Sequence, residues 1–522
     1  MNGATSLVRS LIASGVEVCF ANPGTSEMHF VAALDKVPGL RCILGLHETV
    51  VTGAADGYAR MAEKPAVTLL HTGPGLANGL SGLHNARKGW TPVVNVVGEH
   101  ALSHIEYDAP LTSDIQAIAA PMSHWVSTPC EANMLASAGA EAVRQAKAHP
   151  GHIATLILPA NTAWDTIDED ISAVDSVDCI AAEVVSQESI NELAKILELA
   201  STNNEKVCFV LGGECLHAQS LEQADKIAQH CNVTVLAETF KARFQRGAGR
   251  VVVPEIPYPI DLAIDMLKSF KHVVTVCAKA PVGFFAYPDK PSKLYPADAQ
   301  VHSLAGMQED GIRALQDLAI ALGANNLTPR LQVLEKHQEP EQAPLNAKNI
   351  GPILANRLPH DAIIVDEAIT SGTSSTAYTE SAAAHDWLEV CGGSIGGGMP
   401  ISVGAAVASP DRKVINLQAD GSGMYSVQSL WTQAREKLNI TTIVFANSSY
   451  AILKHELDNV QASSGRVAMD MMELDLPTLD WVAMASGMGV KALRATTVDE
   501  FRESLDCALA HNGPFLIEAV IP

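Results

Sequence analysis

Aromatic residues make up only 5% of the chain, basic residues are outnumbered (35 Lys and Arg against 58 Asp and Glu), and the ten cysteines form no CxxC pair or His/Cys cluster. Each shortage excludes something. A formal charge of −23, spread along the chain without an acidic tail, argues against nucleic acid and anionic membranes as partners. No run approaches 18 uninterrupted apolar residues, so no membrane-spanning helix is expected. The opening MNGATSLVRS lacks the apolar core of a signal peptide. Cysteines that sit singly in apolar runs read as buried thiols in a reducing compartment, and a cytoplasmic location is the expectation. The missing GxGxxG fingerprint disfavours a nicotinamide-dependent dehydrogenase.

What is present is a 522-residue chain, 47% hydrophobic and rich in Ala, Val, Ile and Leu, which suits two or three α/β domains better than a β-sandwich. Short β runs alternate with helical stretches in three series. The first has runs at 16–20, 42–44, 66–71, 93–97 and 153–158. An acidic passage, Asp165 to Asp178, reads as a linker. The second series has runs at 207–211, 233–236 and 272–277 and ends near the polar stretch His337 to Pro344. The third opens with a helix at Ala347 and has runs at 363–366, 414–417, 441–445 and 515–520.

The most informative segment is ADGSGMYSVQSLWTQAREKLNITTIVFANSSY, Ala419 to Tyr450. Asp420 follows one apolar run, and Asn447, 27 residues later, follows another. Met424, Val427, Leu430, Trp431, Ala434 and Leu438 recur between them at helical spacing, which predicts a strand–turn–helix–strand unit. In a right-handed βαβ unit both strand ends open on one sheet edge, so Asp420 and Asn447 are expected side by side. A carboxylate, an amide oxygen and loop carbonyls are hard ligands that suit Mg²⁺ completed by phosphate oxygens. The Gly421-Ser422-Gly423 turn lets backbone N–H groups approach those phosphates.

This segment resembles the signature of thiamine-diphosphate (ThDP) enzymes, Gly-Asp-Gly followed about 25 to 30 residues later by Asn-Asn. Ala419 and Ala446 replace the first Gly and first Asn, while the ligand positions Asp420 and Asn447 match. The resemblance implies a Mg²⁺ site of Asp420, Asn447 and the Ser449 carbonyl, with Gly421, Ser422 and Tyr450 at the cofactor. A second match lies near the N-terminus: FANPGTSE (Phe20 to Glu27) and LHETVVTGAADGYAR (Leu46 to Arg60) are similar to the acetolactate synthase and benzoylformate decarboxylase branch. Glu48 then matches the glutamate that holds the aminopyrimidine N1′ and favours the imino tautomer, whose nitrogen removes the thiazolium C2 proton.

Further pieces carry over from the same resemblance. In GGSIGGGMP (Gly392 to Pro400), Ile395 would wedge the cofactor into a bent form and the Gly393 carbonyl would meet its 4′-amino group. Thr370, Ser371 and Gly372 align with a phosphate-contacting turn. His71 matches an active-site histidine of benzoylformate decarboxylase, and Thr25 stands where that family has a serine on the substrate carboxylate. The implied fold is α/β, with three consecutive doubly wound domains: pyrimidine-binding (1–165), central (180–335) and diphosphate-binding (345–522).

Departures bear on the substrate. The central-domain histidine of benzoylformate decarboxylase is missing from GFFAY (Gly283 to Tyr287), and the pocket positions Ile452 and Glu456 include a carboxylate. The loop from Gly98 to Ile115 lacks the Phe-Gln pair expected of acetolactate synthase. The chain ends just after its last strand, which resembles a lidless decarboxylase plan. Lys241, Arg243 or Arg246 could meet a nucleotide phosphate in the central domain, but FAD there is the lesser reading and a surface loop on a scaffold the greater. The expectation is a cytoplasmic homotetramer with sites between subunits, carrying ThDP and Mg²⁺. It would decarboxylate a 2-oxo acid without oxidation, with carboligation possible. An acetolactate-synthase-type carboligase and a cofactor-binding protein without turnover are the alternatives.

Overall fold

The computed structural model describes residues 1–168, 180–462 and 464–522. All but the first residues of the acidic linker therefore lie outside the described residues, as does Cys179. The first sheet holds β1 (Val18–Asn22), β2 (Arg41–Leu44), β3 (Ala66–Leu70), β4 (Val93–Glu99), β5 (Trp125–Ser127) and β6 (Ile153–Pro159). They are parallel throughout, in the order β2-β1-β3-β4-β6-β5. Strands β7 (Val207–Leu211), β8 (Thr234–Ala237), β10 (His272–Val276) and β11 (Gln300–Ala305) form the central parallel sheet, ordered β11-β10-β7-β8. Between β8 and β10 in the chain comes β9 (Phe244–Arg246), which leaves the central domain and pairs antiparallel with a strand of the third sheet.

The third sheet adds β12 (Ala362–Glu367), β13 (His385–Glu389), β14 (Val414–Ala419), β15 (Ile440–Ala446), β16 (Lys491–Ala495) and β17 (Phe515–Val520). Its order from β9 is β9-β13-β12-β14-β15-β17-β16. Without β9, this repeats the order of the first sheet strand for strand. The fold is thus α/β with three parallel-stranded units, the outer two of one topology.

Apolar runs locate the central strands because parallel strands covered on both faces need no polar alternation. Every residue of β4 and β6 is buried. The strands without such runs are β5, β9, β11, β13 and β16. Four of these are sheet edges, and β11 and β16 are half-exposed along much of their length. The helix expected across 424–438 is shorter: a turn at Asp420–Gly423, then a helix at Ser429–Glu436. The expected surface loop at 237–249 is also corrected. It carries β9, and Lys241 is 1% exposed.

The outer domains meet through the helices Glu48–Ala62 and Gly398–Ala408, each following the second of the six parallel strands of its sheet. A Cβ on Gly57 would lie 2.0 Å from the Ile401 carbonyl, and one on Gly404 would lie 1.9 Å from the Ala54 carbonyl. Only glycine permits that approach. Arg60 reinforces the contact from a buried fork. Its Nε and Nη2 donate to Asp56 at 2.7 and 2.6 Å, and its Nη1 donates to the carbonyls of Glu389 and Ala242. Among the described residues no helix is long and apolar enough to cross a membrane. Cys42, Cys130 and Cys507 are exposed, contrary to the expectation of buried thiols, because they sit on an edge strand, a loop and an outer helix face.

Candidate active site

The site residues lie where parallel sheets open, at the carboxyl ends of their strands. In the first domain, Thr25 begins the short turn Thr25–Glu27 after β1, Glu48 begins the helix after β2, and His71 follows β3 directly. Gly75 lies between two of them. A Cβ built on it would be 3.2 Å from Glu48 Oε1 and 3.5 Å from His71 Cβ. Glu48 is 8% exposed and accepts from Asn78 Nδ2 at 3.1 Å, so this buried carboxylate stands at a helix N-terminus with a neutral donor.

His71 has a partner that motif matching left without a role. Its Nδ1 lies 3.1 and 3.2 Å from the two oxygens of Glu27, a side chain 1% exposed. Glu27 is itself held by the Gly24 amide at 2.8 Å and by the Ser26 hydroxyl. The signal was present in the sequence: Gly24 and Glu27 are three apart, the spacing at which a glutamate reaches back to cap its own turn. Thr25 is exposed beside this pair. Glu99, at the end of β4 on the same sheet edge, is also buried, and burial pushes its carboxyl up.

In the third domain, β14 and β15 are adjacent and parallel, with Ala419 opposite Phe445. Asp420 and Asn447 are thereby brought together as the spacing requires. Asp420 is 3% exposed; its oxygens accept from Gly421 N at 2.8 Å and from Ser448 N at 2.7 Å. Burial raises its pKa against those amide bonds. Ser448, between Asn447 and Ser449, has φ 53°, a left-handed residue directly after the strand end. The ring of Tyr450 covers Gly421, where a Cβ would lie 2.4 Å from Cε1. Among the described residues no group of three or more His, Cys, Asp or Glu side chains converges on one point. One buried carboxylate with an amide and a carbonyl is the donor set of a cation that takes its remaining oxygens from phosphate and water, so the residues present fit Mg²⁺–diphosphate.

The glycine loop stands beside that turn. Gly393 has φ 70° and Gly396 has φ 91°, and a Cβ on Gly396 would lie 3.7 Å from the Ser422 carbonyl. Phe284 of the central domain packs on Gly393, where a Cβ would meet its ring at 2.6 Å. Ile395 is half-buried. Thr370 and Ser371 lie in a turn after β12, with Gly372 next to the Asp366 carboxylate. Glu367, just before that turn, was passed over as a site residue by motif matching. Its buried oxygens accept from the amides of Gly396, Gly397 and Gly398 and from Gln418.

Within one chain, the first-domain set (Thr25, Glu48, His71) and the third-domain set stand at the edges of different sheets. They are joined through the helix crossing and through His84 and Asn85, which reach the carbonyls of Gly392 and Ser394 at 3.1 and 2.8 Å. The cations considered for a nucleotide phosphate are engaged elsewhere. Lys241 pairs with Glu389 and Glu255, Arg243 with Asp386 and Glu63, and Arg246 with Glu255. Glu456 is not a free pocket carboxylate either, because the hydroxyls of Tyr258 and Tyr287 donate to it at 3.2 and 2.9 Å.

Fold and site together set a buried carboxylate and a glycine-containing turn at the strand ends of one sheet, and Glu48 with the Glu27–His71 pair at the strand ends of a second sheet of like topology. Residues 1–120 match the thiamine pyrophosphate enzyme N-terminal TPP binding domain, and residues 371–519 match the C-terminal TPP binding domain. The chain is 44% identical to IlvX of Mycobacterium tuberculosis, which is named provisionally as an acetolactate synthase large subunit, over 100% of this chain and 99% of that protein. It is 29% identical to benzoylformate decarboxylase of Pseudomonas aeruginosa, over 97% of this chain and 96% of that one. In fold it matches the thiamine diphosphate-dependent 4-hydroxybenzoylformate decarboxylase of Rhodococcus jostii RHA1, with a TM-score of 0.85 at 23% identity, covering 100% and 99% of the two chains. The chain belongs to the ThDP-dependent enzymes, in the branch related to acetolactate synthase and benzoylformate decarboxylase.

Proposed function

We propose that this protein binds ThDP through Mg²⁺ and decarboxylates a 2-oxo acid without oxidation, releasing an aldehyde or passing the remaining fragment to a second carbonyl. The observation that carries this reading is the pairing of His71 with the buried Glu27, set across Gly75 from Glu48. Bound thiamine diphosphate would supply the electron sink for cleavage of the carbon–carbon bond. The chain's own residues would manage protons and position. Glu48, with its buried carboxyl, would hold a proton at the pyrimidine N1′. Glu27 would accept from His71 Nδ1–H, fixing the ring and leaving Nε2 to exchange a proton at the reacting carbon. Asp420, Asn447 and the Ser449 carbonyl would hold the metal, and Thr25 would meet the substrate carboxylate. The site would be completed by a second subunit, the first domain of one chain facing the third domain of the other.

A second reading, acetolactate-synthase-type carboligation, is favoured by the 44% identity to IlvX of M. tuberculosis. Both readings share Glu48 and the metal site and differ only in the step after carbon dioxide leaves. A binding protein without turnover is disfavoured by the retention of Glu48, Asp420 and Asn447 together.

Carbon dioxide release with ThDP and Mg²⁺ would be measured across aliphatic, aromatic and acidic 2-oxo acids, with products read by NMR and EDTA as the control. Metal-dependent release with an aldehyde product supports the first reading. A 2-hydroxy ketone or 2-hydroxy acid selects the second. Bound ThDP without release from any acid overturns both.

A further inference from the structure

Glu367 ends β12 with its side chain turned inward, 4% exposed. Four donors converge on its two oxygens. Gly396 N and Gly397 N reach Oε1 at 2.6 and 3.3 Å, while Gly398 N and Gln418 Nε2 reach Oε2 at 2.8 and 2.9 Å. Gln418 Nε2 also donates to Ser422 Oγ at 2.7 Å, inside the Asp420–Gly423 turn. There is no slack around this link, since a Cβ on Gly398 would lie 2.7 Å from Gln418 Oε1 and 2.9 Å from Glu367 Oε2. A carboxylate suits the position because it offers acceptors only, and buried donors require acceptors.

We propose that Glu367 and Gln418 are positioning residues that set the spacing between the glycine loop carrying Ile395 and the turn carrying Asp420 and Ser422. The inference rests on the reading that these two segments hold the two ends of one ThDP molecule. A cofactor gripped at its diphosphate then meets Ile395 at one distance only, and the bent form is selected by the protein frame rather than by the wedge side chain alone. Neither residue touches the cofactor in this account; each acts through backbone amides and Ser422.

Two probes separate this role from general support of the fold. Inorganic diphosphate with Mg²⁺ engages only the turn, whereas ThDP with Mg²⁺ engages the turn and the loop. In Glu367→Gln, the amide keeps one oxygen and directs an NH₂ at two donors, so the loop loses its fixed seat. In Gln418→Met, a side chain of similar length removes the bridge but leaves Glu367 on the glycine amides. Both affinities would be measured by calorimetry on the full-length protein. We expect inorganic diphosphate to bind both variants within twofold of wild type, and ThDP to bind at least tenfold more weakly. Equal losses for the two ligands would reduce the residues to structural support and overturn the proposal, as would unchanged ThDP affinity in Gln418→Met. Failure of the wild-type protein to bind either ligand would instead overturn the underlying cofactor reading. Should Glu367→Gln fail to fold, Gln418→Met decides alone.

Discussion

His71 Nδ1 lies 3.1 Å from Glu27 Oε1, and the carboxylate is sealed from solvent while the imidazole keeps 22% of its side-chain surface exposed. The buried partner orients the ring through Nδ1. If His71 transfers a proton in turnover, Glu27 acts through it. His71→Ala and Glu27→Gln should each lower kcat by about 10² or more, and the double variant should lose little beyond His71→Ala alone. Steady-state kinetics on the identified substrate would measure the coupling, and additive losses would show that the two residues act independently.

In the proposed reaction Glu48 handles a different proton. Glu48→Gln preserves the shape and the Asn78 contact but cannot ionise. ThDP and Mg²⁺ should still raise the melting temperature of the variant as in wild type, while turnover falls by about 10³-fold or more. Near-full activity in this variant would remove Glu48 from the chemistry.

The Asp56–Arg60 fork supports the join between the outer domains. Both side chains are at most 1% exposed, so Asp56→Asn leaves a buried guanidinium short of its counter-charge. The expected loss is about 3–5 kcal/mol, read from urea unfolding. A loss below about 1 kcal/mol would mean that the carbonyls of Glu389 and Ala242 suffice to hold Arg60.

Glu238 offers a pH test remote from the proton-transfer groups. Burial pushes its carboxyl up to about 8, opposed by the Gly213 amide and Lys241. A carboxyl raised above its unfolded value of about 4.5 contributes stability at low pH that is lost as pH rises through the folded value. Glu238→Gln should therefore match wild type in melting temperature near pH 4.5 and exceed it progressively up to about pH 8. Parallel melting curves across that range would show that the group is solvated.

The sequence by itself determined most of the central strands and the juxtaposition of Asp420 with Asn447. The meeting of Asp420 and Asn447 was legible because two apolar runs joined by a helix form a βαβ unit whose strand ends open on one edge. Strands such as β4, β7 and β17 were legible because parallel strands buried on both faces are written as continuous apolar runs. Tertiary structure decided the rest. Strand β9 crosses from the central domain to the third sheet, where Phe244 stands opposite Trp387, a pairing that local periodicity does not encode. Lys241, Arg243 and Arg246 read as surface-loop cations until the fold brought Glu255, Asp386 and Glu389 to them. Glu27 and Glu367 gained their buried partners only when His71 and the glycine amides arrived from distant segments. The common strand order of the outer domains is also a property of the folded chain. It places His71 and Asp420 at equivalent points, each directly after the third parallel strand of its sheet, because topology follows backbone pairing and packing, which unlike side chains can build the same frame twice.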